Sequence, residues 1–68
     1  MKKVTKLRKE RGLSRSRLSV ISGVNATSIF EFESGRRRPY PKAARELASA
    51  LGWTGDPQEL FEDEEVDD

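Results

Sequence analysis

The sequence predicts an all-α domain of five short helices. Three observations lead there: apolar residues recur at helical spacing, a glycine follows most of these stripes, and Gly23-Val24-Asn25 forms a tight turn between two of them. Leu18 and Ile21 lie three apart, as do Ile29 and Phe32, so residues 14–35 read as two helices folded about that turn. Each presents a narrow apolar face that needs a partner. In the turn, glycine can take positive φ to close one helix, and the Asn25 side chain can cap the free N–H groups of the next.

Val4 and Leu7 begin an apolar stripe among lysines and arginines, and Gly12 stops it, so residues 3–11 form a short basic helix. Leu13 then enters the core. Ser14 is an N-cap residue, but the third helical position holds Arg17 rather than Glu, which leaves half a capping box; the second helix runs from about 15 to 22. At 100° per residue, with Ile29 inward, the third helix places Asn25, Phe32 and Glu33 on its inner side. Thr27, Glu31 and Ser34 face out, with Phe30 on the flank. Gly35 ends it. Pro39 and Pro41 keep Arg36-Arg37-Arg38-Pro39-Tyr40-Pro41 out of regular helix, so this is a cationic loop. Pro41 suits a first helical position, and Ala44, Leu47, Ala48 and Leu51 repeat at i, i+3, i+4 and i+7 until Gly52 closes the fourth helix. Asp56, Pro57 and Glu59 supply N-cap, first-turn proline and third-position acid for a fifth, with Leu60 and Phe61 as its packing residues. The domain is expected over residues 1–61. The remainder, EDEEVDD at 62–68, has one apolar residue and reads as a disordered acidic tail.

Sixty-eight residues make one domain with a small core. The chain has no cysteine and no histidine, which removes disulfides, the usual zinc ligand sets and histidine-based acid–base catalysis. No nucleophile–base pair or metal cluster is legible, so neither an enzyme nor a cofactor is expected. No apolar run approaches a membrane span and Met1-Lys2-Lys3 leads into a polar helix, so the expected place is the cytoplasm, at the nucleoid, with no membrane partner. The net charge of +1 conceals a separation. All thirteen bases lie in residues 1–45 against three acids, a net +10, whereas the part from Glu46 on has nine acids and no base, a net −9. A body this basic points to a polyanion partner.

With these pieces in order, the sequence resembles the Cro and lambda-type repressor family, also called XRE-family helix-turn-helix regulators. The matching stretches are LRKERGLS, Leu18, SGVN, SIFEFESGRRRP and ELASALGW, covering about residues 4–53. The resemblance implies a five-helix lambda-repressor-like domain that lays its third helix in the DNA major groove. The second helix would cross the phosphates, usually in a two-fold homodimer. It also implies a pairing of Arg8 with Glu33, which suits an inward carboxylate that is costly without a cation; the plainer reading is a partly exposed Glu33 without a fixed partner. Two positions depart from the family pattern. Arg15 stands where Gln is frequent, and Ser19 stands where a small alanine is frequent, leaving a hydroxyl that needs a hydrogen bond.

Arg15 and Arg17, in the first turn of the second helix, are phosphate-contact candidates, and solvated basic surface is the plain alternative. Arg36, Arg37 and Arg38, together with Lys42, are candidates for phosphate or minor-groove contact. Ala26, Thr27, Ser28 and Glu31 are the candidates for base edges: Ala26 and the Thr27 methyl against thymine methyl groups, hydroxyls as donor or acceptor, and Glu31 as acceptor from cytosine N4 or as a repeller of misplaced phosphates. This set lacks the Arg, Asn or Gln that makes bidentate base pairs. Phe30 has two readings, contact with sugar or methyl groups and packing against the second helix. Trp53 reads as core or dimer contact, and Leu60 and Phe61 as core edge or dimer seam. The function expected is a double-stranded-DNA-binding transcriptional repressor on an inverted-repeat operator. The alternative is an antitoxin or anti-repressor-like module whose protein partner docks on the C-terminal helix and acidic tail.

Overall fold

The computed structural model describes residues 1–64. Four α-helices, α1 (Lys3–Glu10), α2 (Arg15–Ser22), α3 (Ala26–Ser34) and α4 (Pro41–Leu51), are followed by a 3₁₀ helix, Pro57–Phe61. The all-α class stands, but the fifth element differs from the expected α-helix. Asp56 caps its start, with Oδ1 accepting from Gln58 N at 3.0 Å, and its five residues make fewer than two turns, 3₁₀ geometry being used in short pieces.

The helix boundaries follow from their caps. Ser14 Oγ accepts from Arg17 N at 3.0 Å and Asn25 Oδ1 from Thr27 N at 2.8 Å, so each helix of the central pair has one orphan N–H satisfied by a side chain. Gly23 (φ 77°) and Gly35 (φ 82°) end α2 and α3 in the left-handed region, where a Cβ would be strained. Pro41 opens α4. At the far end of α4 the Leu51 carbonyl accepts from Arg11 Nε at 3.0 Å, a cation at the negative end of the helix that ties α1 to α4.

The α4 stripe packs against α2 and the 3₁₀ helix, α2 against α3, and α1 against the 3₁₀ helix. Val4, Leu18, Ile29, Leu47, Leu51 and Leu60 are fully buried, and Phe32 meets Phe61 edge to face with ring centres 6.0 Å apart. Leu60 and Phe61 are therefore core. Of the two readings of this pair, core edge and dimer seam, their burial within the single chain fits the first. Trp53 is half-buried against the same core, its Nε1 donating to the Asp56 carbonyl at 3.0 Å and its ring 5.4 Å from Lys3 Nζ.

Ile21 differs from expectation. Its spacing from Leu18 puts it on an apolar face that needs a partner, but it is 45% exposed beside Val20 at 73%, and Val24 from the turn is buried instead. Of the eight residues of α2 only Leu18 is buried. Ile21 falls one step around, over a shallow groove shared with Arg45, Ser49 and Ala50 of α4.

The acidic tail does not begin at Glu62. Lys3 N donates to the Glu62 carbonyl at 3.0 Å and Glu64 N to the Met1 carbonyl at 2.9 Å, forming an isolated antiparallel bridge between Lys2 and Asp63. Lys2 Nζ stands 3.5 Å from Asp63 and Lys6 Nζ 3.5 Å from Glu64. Opposite charge at the two ends of the chain makes this pairing favourable; residues 65–68 of the expected tail lie outside the described residues. No helix among the described residues is long and apolar enough to cross a membrane.

Candidate nucleic-acid interface

The site is built on α3. Its inner side is held by Ile29 and Phe32 in the core and by Glu33, whose side chain is only 3% exposed. Glu33 takes two cations. Arg8 Nε donates to Oε2 at 2.8 Å and Arg8 Nη2 to Oε1 at 3.2 Å, while Arg15 Nε donates to Oε1 at 2.8 Å. Arg8 also donates to the Leu13 carbonyl at 2.7 Å, so one guanidinium locks α1, the α1–α2 connection and α3 together. Two arginines neutralise one buried carboxylate, and the sharing fixes the rotation of α3 about its axis. Arg15 thus has a second attachment that the sequence did not disclose.

That rotation leaves Thr27 and Ser34 exposed, with Ala26, Ser28 and Glu31 half-buried beside them and Phe30 exposed on the flank towards Arg15. Phe30 does not tuck under α2. Its ring lies 5.3 Å from the Arg15 guanidinium carbon and 6.0 Å from that of Arg36, so an aromatic side chain is flanked by cations from both ends of the helix pair.

The arginines of the loop after α3 go to three different places. Arg36 approaches Phe30. Arg37 turns onto α3, its Nη2 donating to Ser28 Oγ at 2.9 Å and its Nε 3.6 Å from Glu31 Oε1. Arg38 turns the other way and donates to the Gln58 side chain at 3.2 Å and the Gln58 carbonyl at 3.1 Å, fastening the loop to the 3₁₀ helix. Between them is an open hollow where Lys2 joins Arg36, Arg37 and Arg38 over Phe32 and Phe61. Lys2 was not among the sequence candidates; its only signal was a basic N-terminus in a chain with an acidic end. Lys42 lies apart from this hollow, in the groove beside Ile21 and Ser22. Arg17 is exposed on the first turn of α2.

Around the outward strip of α3 the charges are thus arginines on two sides, from the first turn of α2 and from the loop. Glu31 is the one acid on the outward strip, and Arg37 stands against it. Such a surface, a helix with small and hydroxyl side chains outward between two cationic margins, matches a groove edged by phosphates. Among the described residues no group of His, Cys, Asp or Glu is placed to hold a metal ion. A helix-turn-helix family model matches residues 4–56. No curated protein and no solved structure matches the chain significantly.

Proposed function

The chain belongs to the helix-turn-helix family and is an XRE-like DNA-binding transcriptional regulator, and on that footing we propose that it is a repressor that binds an inverted-repeat operator as a homodimer. The observation that carries the reading is the outward strip of α3 set between two arginine margins. Arg15, Arg17, Arg36 and Lys42 neutralise phosphates and set the register, and Arg38 holds the loop in place through Gln58. Ala26, Thr27, Ser28 and Glu31 meet base edges, the first two through methyl contacts and the others through hydrogen bonds. A dimer on an operator that overlaps a promoter excludes polymerase, in the cytoplasm.

Selection of bound duplexes from random DNA, followed by titration of the selected sequence, tests this. A dimer contacting about 6 to 10 phosphates loses on the order of a thousandfold in affinity or more between about 50 and 200 mM salt. Arg15→Ala lowers affinity for all duplexes alike and flattens the salt slope by about one per contact removed. Absence of duplex binding at the lower salt overturns the reading. A selected site without two-fold symmetry, bound by one protomer, overturns the homodimer.

A further inference from the structure

Arg37 rests on the recognition helix itself. Its Nη2 donates to Ser28 Oγ at 2.9 Å, its Nε lies 3.6 Å from the Glu31 carboxylate, and its guanidinium carbon is 5.1 Å from the centre of the Phe32 ring. Ser28 and Glu31 are one turn apart on one side of α3, next to the outward Thr27. We propose that Arg37 reads a guanine in the major groove, donating to its O6 and N7, with Ser28 and Glu31 holding the plane of the guanidinium. This assignment rests on the DNA-binding reading of α3.

Donor supply is the first argument. A guanidinium carries five N–H donors; Ser28 takes one of them and Glu31 faces Nε at a loose 3.6 Å, which leaves both Nη1 donors and one on Nη2 for a base edge. The outward residues of α3 offer no Arg, Asn or Gln of their own, and Asn25 is committed to capping Thr27 N. Arg37 brings a side chain capable of a bidentate base contact to the Ser28–Glu31 side of this helix, whereas Arg15 and Arg36 lie over Phe30 on its flank.

Charge is the second. Glu31 lies on the surface that meets a polyanion, and its nearest cation is Arg37. Recruiting Arg37 to a phosphate would strip Glu31 of that cation and leave a carboxylate facing the backbone. Reading a base keeps the pair together and lets it enter the groove close to neutral. The other loop arginines are differently placed, Arg36 against Phe30 and Arg38 on Gln58. Anchoring also removes part of the rotamer freedom of Arg37 before DNA arrives, so less is lost on binding.

The test uses the full chain, the selected operator, and operators carrying 7-deazaguanine at one guanine at a time, which deletes N7 while leaving pairing intact. At one guanine of each half-site the substitution costs the parent protein about threefold to tenfold in affinity, because it removes one arm of a bidentate pair and leaves the bond to O6. It costs Arg37→Lys less than about twofold, because the shorter, flexible lysine keeps the charge but is not held in place by Ser28 and Glu31, so its ammonium is not aimed at N7. Both proteins bind a non-operator duplex with equal affinity and equal salt slope. Ser28→Ala, which removes the anchor and no charge, loses part of the same discrimination. Identical 7-deazaguanine profiles for the parent and Arg37→Lys overturn the assignment, as does Arg37→Ala weakening every duplex alike with a shallower slope, which places Arg37 on phosphate. A parent protein that binds no duplex overturns the DNA-binding reading beneath it and is recognised before any variant is made.

Discussion

Arg8→Met perturbs the molecule where three segments meet. Methionine keeps an apolar stem of similar length but no donor, so Glu33 loses two hydrogen bonds and the Leu13 carbonyl loses one, all from a side chain that is 8% exposed. Removing one partner of a buried ion pair costs about 3 to 5 kcal/mol, because the other charge is left without compensation. Here Arg15 remains at 2.8 Å, so the loss falls at the lower end, about 3 kcal/mol. A domain of this size has a total stability of about 3 to 10 kcal/mol, and about 1 kcal/mol moves Tm by about 4 to 8 °C. The melt should therefore drop by about 12 to 24 °C. Arg15→Met alone should cost about 1 kcal/mol or less, since that side chain is 45% exposed and water replaces it in part. The double variant isolates a carboxylate that is 3% exposed and should exceed the sum of the singles by about 1 to 3 kcal/mol. Thermal and urea melts of the four proteins form the cycle. An Arg8→Met protein melting within about 4 °C of the parent, or a double variant that is additive, would refute the shared-carboxylate reasoning.

Two further expectations concern the C-terminal part of the chain. Leu60→Ala leaves a cavity beneath a fully buried position and should cost about 2 to 5 kcal/mol, read from a urea melt; a cost below about 1 kcal/mol would mean that the 3₁₀ helix is not part of the folding unit. Truncation after Phe61 removes the Lys2–Asp63 and Lys6–Glu64 pairs and frees Lys2 to join the three loop arginines. It should tighten binding to non-specific duplex at about 50 mM salt and steepen the salt slope, as more counterions are released; equal slopes for the full-length and truncated proteins would remove acidic competition as a cause.

Legibility followed the range of the interaction. The starts and ends of α1 to α4 were readable because caps, proline positions and left-handed glycines act within a few residues: Ser14 on Arg17, Asn25 on Thr27, Gly23 and Gly35 at positive φ, Pro41 at the first turn. The α4 stripe and the inward position of Glu33 were readable for the same reason, since both follow from 100° per residue. The exposure of Ile21 was not readable, because a three-residue spacing shows that two side chains share a face but not how deep a neighbour will bury it, and depth depends on where α4 packs.

The sequence therefore settled which segments are helical, which residues could face inward, and that a basic body is joined to an acidic end. It did not settle the destinations of the long charged side chains. Arg15 on Glu33, Arg37 on Ser28 and Glu31, Arg38 on Gln58 and the acidic residues 62–64 on the N-terminal segment were each fixed by packing. An arginine or lysine has several rotatable bonds and a charge that many partners satisfy equally well, so its local sequence carries almost no preference among them. The choice falls to whichever carboxylate, hydroxyl or carbonyl the folded core places within about 3 Å, the reach of a hydrogen bond.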